Sequence, residues 1–198
     1  MDTLGPSGRC MVQRSTVLAS PAEGVAFWFA PTVRPLWFAA TPDFDEALRA
    51  RFLATYQAAA AGQGTDWDTT AEGALARVIV LDQFPLNLFR GQPESFATEA
   101  AARLVADRAI ARGFDQRLPP EQRQFLYLPF VHGEALADQE RSVRLYQQSG
   151  LEDSLRYARH HRDLIGRFGR FPHRNAILGR ASTAEEIAYL ASPEAFHG

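Results

Sequence analysis

Residues 151–168 read LEDSLRYARHHRDLIGRF, a pattern typical of an amphipathic α-helix. The apolar side chains recur every three or four residues, which aligns them on one helical face. That face consists of Tyr157, Ala158, Leu164, Ile165 and Phe168, with His161 in its middle. Gly169 follows directly and permits an unusual backbone turn, so we expect a loop to begin there.

Helical spacing continues through most of the chain, and no stretch shows the sustained alternation of a half-buried strand. Ser20 with Glu23, and Ser182 with Glu185, have the spacing of a capping box at a helix start. Glycines and prolines divide the pattern into about eight helices with short links. The sequence therefore predicts an all-α fold of antiparallel helix pairs. It predicts a flexible tail over residues 1–19 and a single domain over residues 20–198.

Composition and charge exclude several classes of protein. The chain has 198 residues, 46% of them hydrophobic, which is enough to bury a core without a disulfide or a structural metal. Cys10 is the single cysteine, so no internal disulfide can form. No apolar run is long enough to cross a membrane, and we expect a cytoplasmic protein with no membrane partner. The oligomeric state is left open.

Arginine supplies every cationic side chain apart from histidine, because the chain contains no lysine. The formal net charge is −2, but residues 141–180 carry nine arginines against three acidic residues. This segment could form a face for an anion or a nucleic acid. We favour a solvated face that the acidic remainder neutralises, and we do not expect a nucleic-acid partner.

Asp82 is the first polar residue on an apolar face. It follows Leu75, Val78 and Ile79 at helical spacing, in a helix that we expect to end at Pro85. A buried carboxylate is costly unless it is paired, so Asp82 needs a partner. Two nearby polar residues, Gln83 and Asn87, are candidate ligand-binding residues, although we favour a structural role in which they bond the backbone groups that the proline leaves free.

Two histidines occupy comparable positions. His161 lies within the apolar stripe described above, and His132 lies in a second stripe with Glu134 two residues beyond it. Asp82, His132 and His161 could meet inside the fold, as a structural polar network, a small-molecule or anion site, or a metal centre. We predict no metal because these three residues form no short metal-binding motif; they are the candidate ligands if one binds.

The loop GRFPHRNAILGR over residues 169–180 is the other candidate region. Arginines held by aromatic neighbours can bind a carboxylate or phosphate with two hydrogen bonds. The candidate ligand-binding residues in this loop are Arg170, His173, Arg174 and Asn175. The alternative is that Arg170 or Arg174 pairs internally with Asp82.

Several of these segments resemble a known family. They read FWF (27–29), WF (37–38), FDEALRARF (44–52), LDQFPLNLFRG (81–91), FLYLPFVHGE (125–134) and HRDLIGRFGRFPHRNAILGRAST (161–183). Over about residues 20–196 the chain is similar to the domain of unknown function 924 family, found mainly in bacteria. The resemblance implies a tetratricopeptide-like array of helices, and it supplies no reaction.

The family's recurrent positions map here onto Asp82, Gln83, Phe84, Pro85, Asn87, His132, Glu134, His161, Arg167, Gly169, Arg170, Pro172, His173, Arg174 and Asn175. Two positions depart from the family pattern: Leu86 replaces an arginine and Gly133 replaces a serine. If those residues contact a ligand in relatives, the ligand here is different or more weakly bound.

Two functions follow from these observations. The leading hypothesis is a tetratricopeptide-like binding module whose groove takes a peptide or a small anionic ligand. The alternative is a small-molecule enzyme, with a metal-dependent hydrolase as one form of it, that uses Asp82, His132, Glu134 and His161 for acid–base chemistry or metal binding. No nucleotide-binding or nucleophile motif is present in the sequence, and no cofactor is identified.

Overall fold

The computed structural model describes residues 18–196, so almost all of the predicted tail lies outside the described residues. Within them the secondary structure is entirely helical, with no strand, which confirms the all-α prediction. The helices are α1 (Pro21–Trp28), α2 (Pro42–Ala60), α3 (Ala71–Val78), α4 (Phe84–Leu88), α5 (Glu99–Ala111), α6 (Pro120–His132), α7 (Leu136–Gln148), α8 (Glu152–Phe168) and α9 (Ala184–Leu190).

Of the two predicted capping boxes, the one at α1 is confirmed and the one at α9 is displaced by one residue. At α1 the Ser20 hydroxyl accepts from the Glu23 amide while the Glu23 carboxylate accepts from the Ser20 amide. At α9 the box is formed by Thr183 and Glu186, one residue later than predicted. Both pairs have the required spacing, but the Ser182 hydroxyl is occupied because it accepts from Asn175.

A π turn over Ile79–Gln83 joins α3 to α4, and together they form a continuous central rod. The predicted end at Pro85 is therefore wrong. Proline has no amide hydrogen, so the carbonyl one turn earlier, that of Leu81, loses its helical partner. The Thr98 hydroxyl donates to that carbonyl at 2.6 Å and satisfies it, which allows the rod to continue.

Aromatic side chains pack the central rod into the main core. Trp28, Phe52, Phe84 and Phe125 are fully buried, with ring centroids 4.8 Å apart for Phe52 and Phe84. Helix α1 packs on α3, α2 packs on α4, and α5 packs on α3. A smaller core of Leu164, Ile165, Phe171 and Tyr189 lies between α8 and α9.

Helix α7 packs against both α6 and α8, and the buried Gln139 side chain links it to α6. Gln139 donates to the carbonyls of Val131 and Gly133, both at 2.6 Å, and so satisfies the end of α6. His132, the last residue of α6, is held in place by these bonds. Across residues 18–196 no helix combines the length and the apolar character needed to cross a bilayer.

Candidate functional site

Asp82 and His132 form a hydrogen-bonded pair. The Asp82 side chain is completely buried in the π turn, and its Oδ1 lies 2.9 Å from Nδ1 of His132. Gln83 donates to the other carboxylate oxygen at 2.6 Å. The partner that Asp82 requires is therefore a histidine fifty residues away, and both carboxylate oxygens have a donor.

His132 keeps one ring nitrogen available. Its side chain is 18% exposed, and no group within residues 18–196 forms a hydrogen bond with Nε2. Burial lowers the pKa of His132, but the charge and hydrogen bond of Asp82 raise it more, so the net pKa lies above the ordinary 6.5. A second carboxylate, that of Glu99, adds to the rise. Asp82 thus orients the imidazole and increases its basicity.

Glu99 and Arg174 form a largely buried ion pair beside this histidine, with Arg174 Nη2 3.0 Å from Glu99 Oε1. The Arg174 guanidinium lies over the rings of Phe96 and Phe171, at 4.5 and 4.7 Å from their centroids. Burial raises the pKa of Glu99 above its ordinary 4.5, and Arg174 offsets that rise only in part. The charges of this pair and of Asp82 and His132 act on one another, so they form one cluster.

The alternative, an internal pair of Arg170 or Arg174 with Asp82, is not formed, because His132 occupies the carboxylate of Asp82. Glu99, the actual partner of Arg174, was not a candidate from the sequence. It stands at the first position of α5, where an acidic residue is ordinary, and nothing in its sequence context distinguishes it from a surface residue.

Glu134 holds the loop 169–183 against α6. Its carboxylate accepts from Arg180 at 2.6 and 2.9 Å and from the Phe171 amide at 2.8 Å. Burial raises its pKa, but these bonds lower it further, so the pKa of Glu134 lies below its ordinary 4.5. Asn175 extends the network, since it accepts from Arg180 and donates to Ser182. Glu134 and Asn175 therefore form hydrogen bonds that hold the loop in place.

Arg170 is tied to α9. Its Nε and Nη2 donate to the two carboxylate oxygens of Glu186, at 2.7 and 2.9 Å. Hydrogen bonds from Arg170 lower the pKa of Glu186 to about 2. Both candidate arginines of the loop, Arg170 and Arg174, thus engage carboxylates of this chain.

His161 and His173 lie in an aromatic cluster. Nδ1 of His161 is 2.8 Å from the Tyr157 carbonyl, and its ring packs against Phe171 and Phe196. The ring of His173 packs against the same two phenylalanines. Burial lowers the pKa of His161 to about 4, so it is neutral near pH 7. In the part of the chain that the structure describes, no three His, Cys, Asp or Glu side chains group in a way that could hold a metal ion.

Gln83 and Asn87 continue the polar network along the central rod. Asn87 donates to the Gln83 carbonyl at 3.1 Å, but the carbonyl that Pro85 leaves free accepts from Thr98 instead, so the predicted role of Gln83 and Asn87 is wrong. The Asn87 side-chain oxygen accepts from Arg90 at 2.9 Å. A hydrogen-bonded path therefore runs from Arg90 through the rod to Asp82.

Comparisons with other proteins identify relatives without an assigned activity. The family model for bacterial proteins of unknown function, DUF924, matches residues 25–194. The chain is also similar to the solved structure of ATU0120, a protein of unknown function from Agrobacterium tumefaciens, with a TM-score of 0.82 and 44% identity. That similarity covers 86% of this chain and 96% of the other. No curated protein matches the chain.

Proposed function

We propose that this chain, which belongs to the DUF924 family of bacterial proteins, is an enzyme that hydrolyses a small polar molecule with His132 as the general base. Nε2 of His132 takes a proton from a water molecule while Nδ1 remains bonded to Asp82. The buried carboxylate stabilises the imidazolium that forms, and Gln83 keeps that carboxylate oriented.

The Asp82–His132 contact is the observation that carries this proposal. A fully buried carboxylate, with a second donor on its other oxygen, faces a histidine whose remaining nitrogen has no protein partner in residues 18–196. Burial lowers the pKa of His132, but the carboxylates of Asp82 and Glu99 together raise it above 6.5, which makes the imidazole a stronger base.

The small-anion and peptide groove suggested by the loop arginines has less support. Arg170 donates to Glu186 and Arg174 pairs with Glu99, so each guanidinium is already neutralised by a carboxylate of the chain and attracts an external anion less strongly. Among the two functions raised by the sequence, the geometry therefore favours the enzyme. The substrate remains defined only as a small polar molecule, with no cofactor assigned.

The test is a hydrolysis screen with small nitrophenyl esters and nitrophenyl phosphates. We expect turnover by the full chain, loss of turnover in His132→Gln, and retained turnover in His160→Gln, which replaces an exposed histidine of α8. Circular dichroism would establish that both variants remain folded. Absence of turnover in the unmodified protein, or equal turnover in His132→Gln, would contradict the proposal.

Chemical modification gives a test that needs no substrate. Diethyl pyrocarbonate acylates an accessible neutral imidazole nitrogen, and peptide mass spectrometry assigns the modified histidine. We expect His132 to react, and Asp82→Asn to shift its reaction to lower pH because the carboxylate charge is lost. Protection of His132 from the reagent in the folded protein would show that Nε2 is closed to a substrate.

A further inference from the structure

An open cavity of about 360 Å³ lies between the start of α2 and the end of the central rod. This volume is within the range of small-molecule pockets, about 300–1,000 Å³. Its polar lining consists of Asp45, Glu46, Arg49, Asn87, Arg90 and Gln92. None of these residues is Asp82, Gln83 or His132, although Asn87 and Arg90 are linked to Asp82 by hydrogen bonds through Gln83.

Two guanidinium groups in this lining have donors left over. Arg90 uses Nε and Nη2 to bind Asp45, at 2.8 and 3.0 Å, and Nη2 also reaches Asn87. Arg49 uses Nη2 to bind the Leu88 carbonyl. Among residues 18–196, no acceptor bonds Nη1 of Arg90, nor Nε or Nη1 of Arg49. The hydrogen bonds already made hold both groups at the cavity wall.

The Glu46 carboxylate adds a negative charge to the same lining as the two arginines. Its exposed side chain has neither a hydrogen bond nor an ion pair with any other residue of the described range 18–196. The lining thus contains two arginines and two acidic residues, and their formal charges cancel. A ligand with both signs of charge matches this arrangement better than a simple anion or a simple cation.

We propose that this cavity binds a small zwitterion of the α-amino acid class. The ligand carboxylate accepts from the remaining donors of Arg49 and Arg90, which suit the planar geometry of a carboxylate. The ligand ammonium lies against the carboxylate of Glu46. This proposal does not rest on the hydrolytic function, and binding measurements alone decide it.

Isothermal titration of the full chain with L-alanine, acetate and ethylammonium tests the proposal. L-alanine is expected to bind saturably at millimolar concentrations and at least about tenfold more tightly than either fragment. Glu46→Gln should remove that preference over acetate, and Arg90→Gln should weaken both L-alanine and acetate about tenfold. Glu140→Gln, an exposed glutamate of α7, is the matched control.

Arg49→Gln removes the bond to the Leu88 carbonyl and risks unfolding the end of the rod, so the decisive variant is Glu46→Gln, whose side chain has no protein partner in residues 18–196. The proposal is overturned if L-alanine does not saturate, or binds no better than acetate. It is also overturned if Glu46→Gln binds L-alanine as the unmodified protein does.

Discussion

The π turn and the loop over residues 169–183 are both rich in polar side chains, yet they use them differently. In the loop, Arg170, Arg174 and Arg180 each pair with a carboxylate from another element. At the π turn, Asp82 binds His132 and leaves Nε2 of that ring available. Charge pairing within the chain suggests an architectural role for the loop arginines, whereas the partly exposed His132, with a ring nitrogen that has no partner in residues 18–196, suggests chemistry.

The difference has an electrostatic origin. An arginine is always charged, and a carboxylate of the same chain neutralises it where both are removed from water. The charges of such a pair change little near neutral pH. The ordinary pKa of histidine is about 6.5, and the carboxylates beside His132 raise its pKa against the opposing effect of burial, so its charge responds to pH where that of an arginine does not. Substitutions in the two regions test that contrast.

Asp82→Asn should disable the π-turn site without unfolding the chain. The amide has no charge to hold a proton on His132, and burial then lowers the pKa of this imidazole. General base catalysis should fall by about 10²–10⁴-fold. NMR titration of the His132 ring and the hydrolysis assay measure the two effects. Asp163→Asn, at an exposed carboxylate of α8, should change neither one. An unaltered His132 titration in Asp82→Asn would contradict this assignment.

His161 should make the protein sensitive to acid. Its folded pKa of about 4 is below the unfolded value near 6.5, so the unfolded chain binds this proton first. The stability is present above pH 6.5 and is lost as the pH falls toward 4, by about 3 kcal/mol. Urea unfolding across this range measures the loss. His161→Phe keeps a ring in the aromatic cluster, and it should remove this dependence of the free energy of unfolding on pH.

His132 contributes with the opposite sign. Its folded pKa is raised, so its stabilisation is present below pH 6.5 and disappears as the pH rises through the folded value. The two histidines therefore affect separate pH windows. His160→Phe tests the neighbouring ring, because the charge of His160 lowers the pKa of His161 slightly and its removal should shift the acid-side window only a little. An acid-side loss that survives in His161→Phe would argue against the burial of a neutral His161 as its cause.

Glu134→Ala should destabilise the loop region. The substitution leaves the Arg180 guanidinium and the Phe171 amide without their acceptor, and partial solvent exposure limits the cost to about 2 kcal/mol. Glu185→Ala breaks only an exposed pair with Arg167 and should cost less than about 0.5 kcal/mol. Chemical denaturation compares the two variants. Equal denaturation midpoints for the two variants would show that Glu134 does not stabilise the loop region.

Thr98→Val should have the smallest effect of the four. It removes the hydroxyl that donates to the Leu81 carbonyl in the central rod, at a cost of about 1 kcal/mol. Thr69→Val removes a similar bond to the Asp66 carbonyl at an exposed position and should cost less than about 0.5 kcal/mol. Thermal unfolding of both variants provides the measurement. A Thr98→Val variant as stable as the parent would mean that Leu81 finds another donor.

Local features were predicted well where the physical cause is local. The Ser20 capping box and the helix end at Gly169 depend on residues within one turn, and both occur, with Gly169 at a φ of 70°. The continuation of the rod through Pro85 was missed. It depends on Thr98, which lies in another element, and the predicted pattern around the proline contained no information about that contact.

Helical periodicity is set by neighbouring residues, so the amino-acid sequence predicts an all-α protein and places Asp82 and His132 on apolar helical faces. Which charges meet depends instead on how the helices pack. Asp82 and His132 are 50 residues apart, and Arg174 and Glu99 are 75 apart. Each ionisable group had several possible partners along the chain, and the packing of the helices selected one by bringing its atoms within bonding distance.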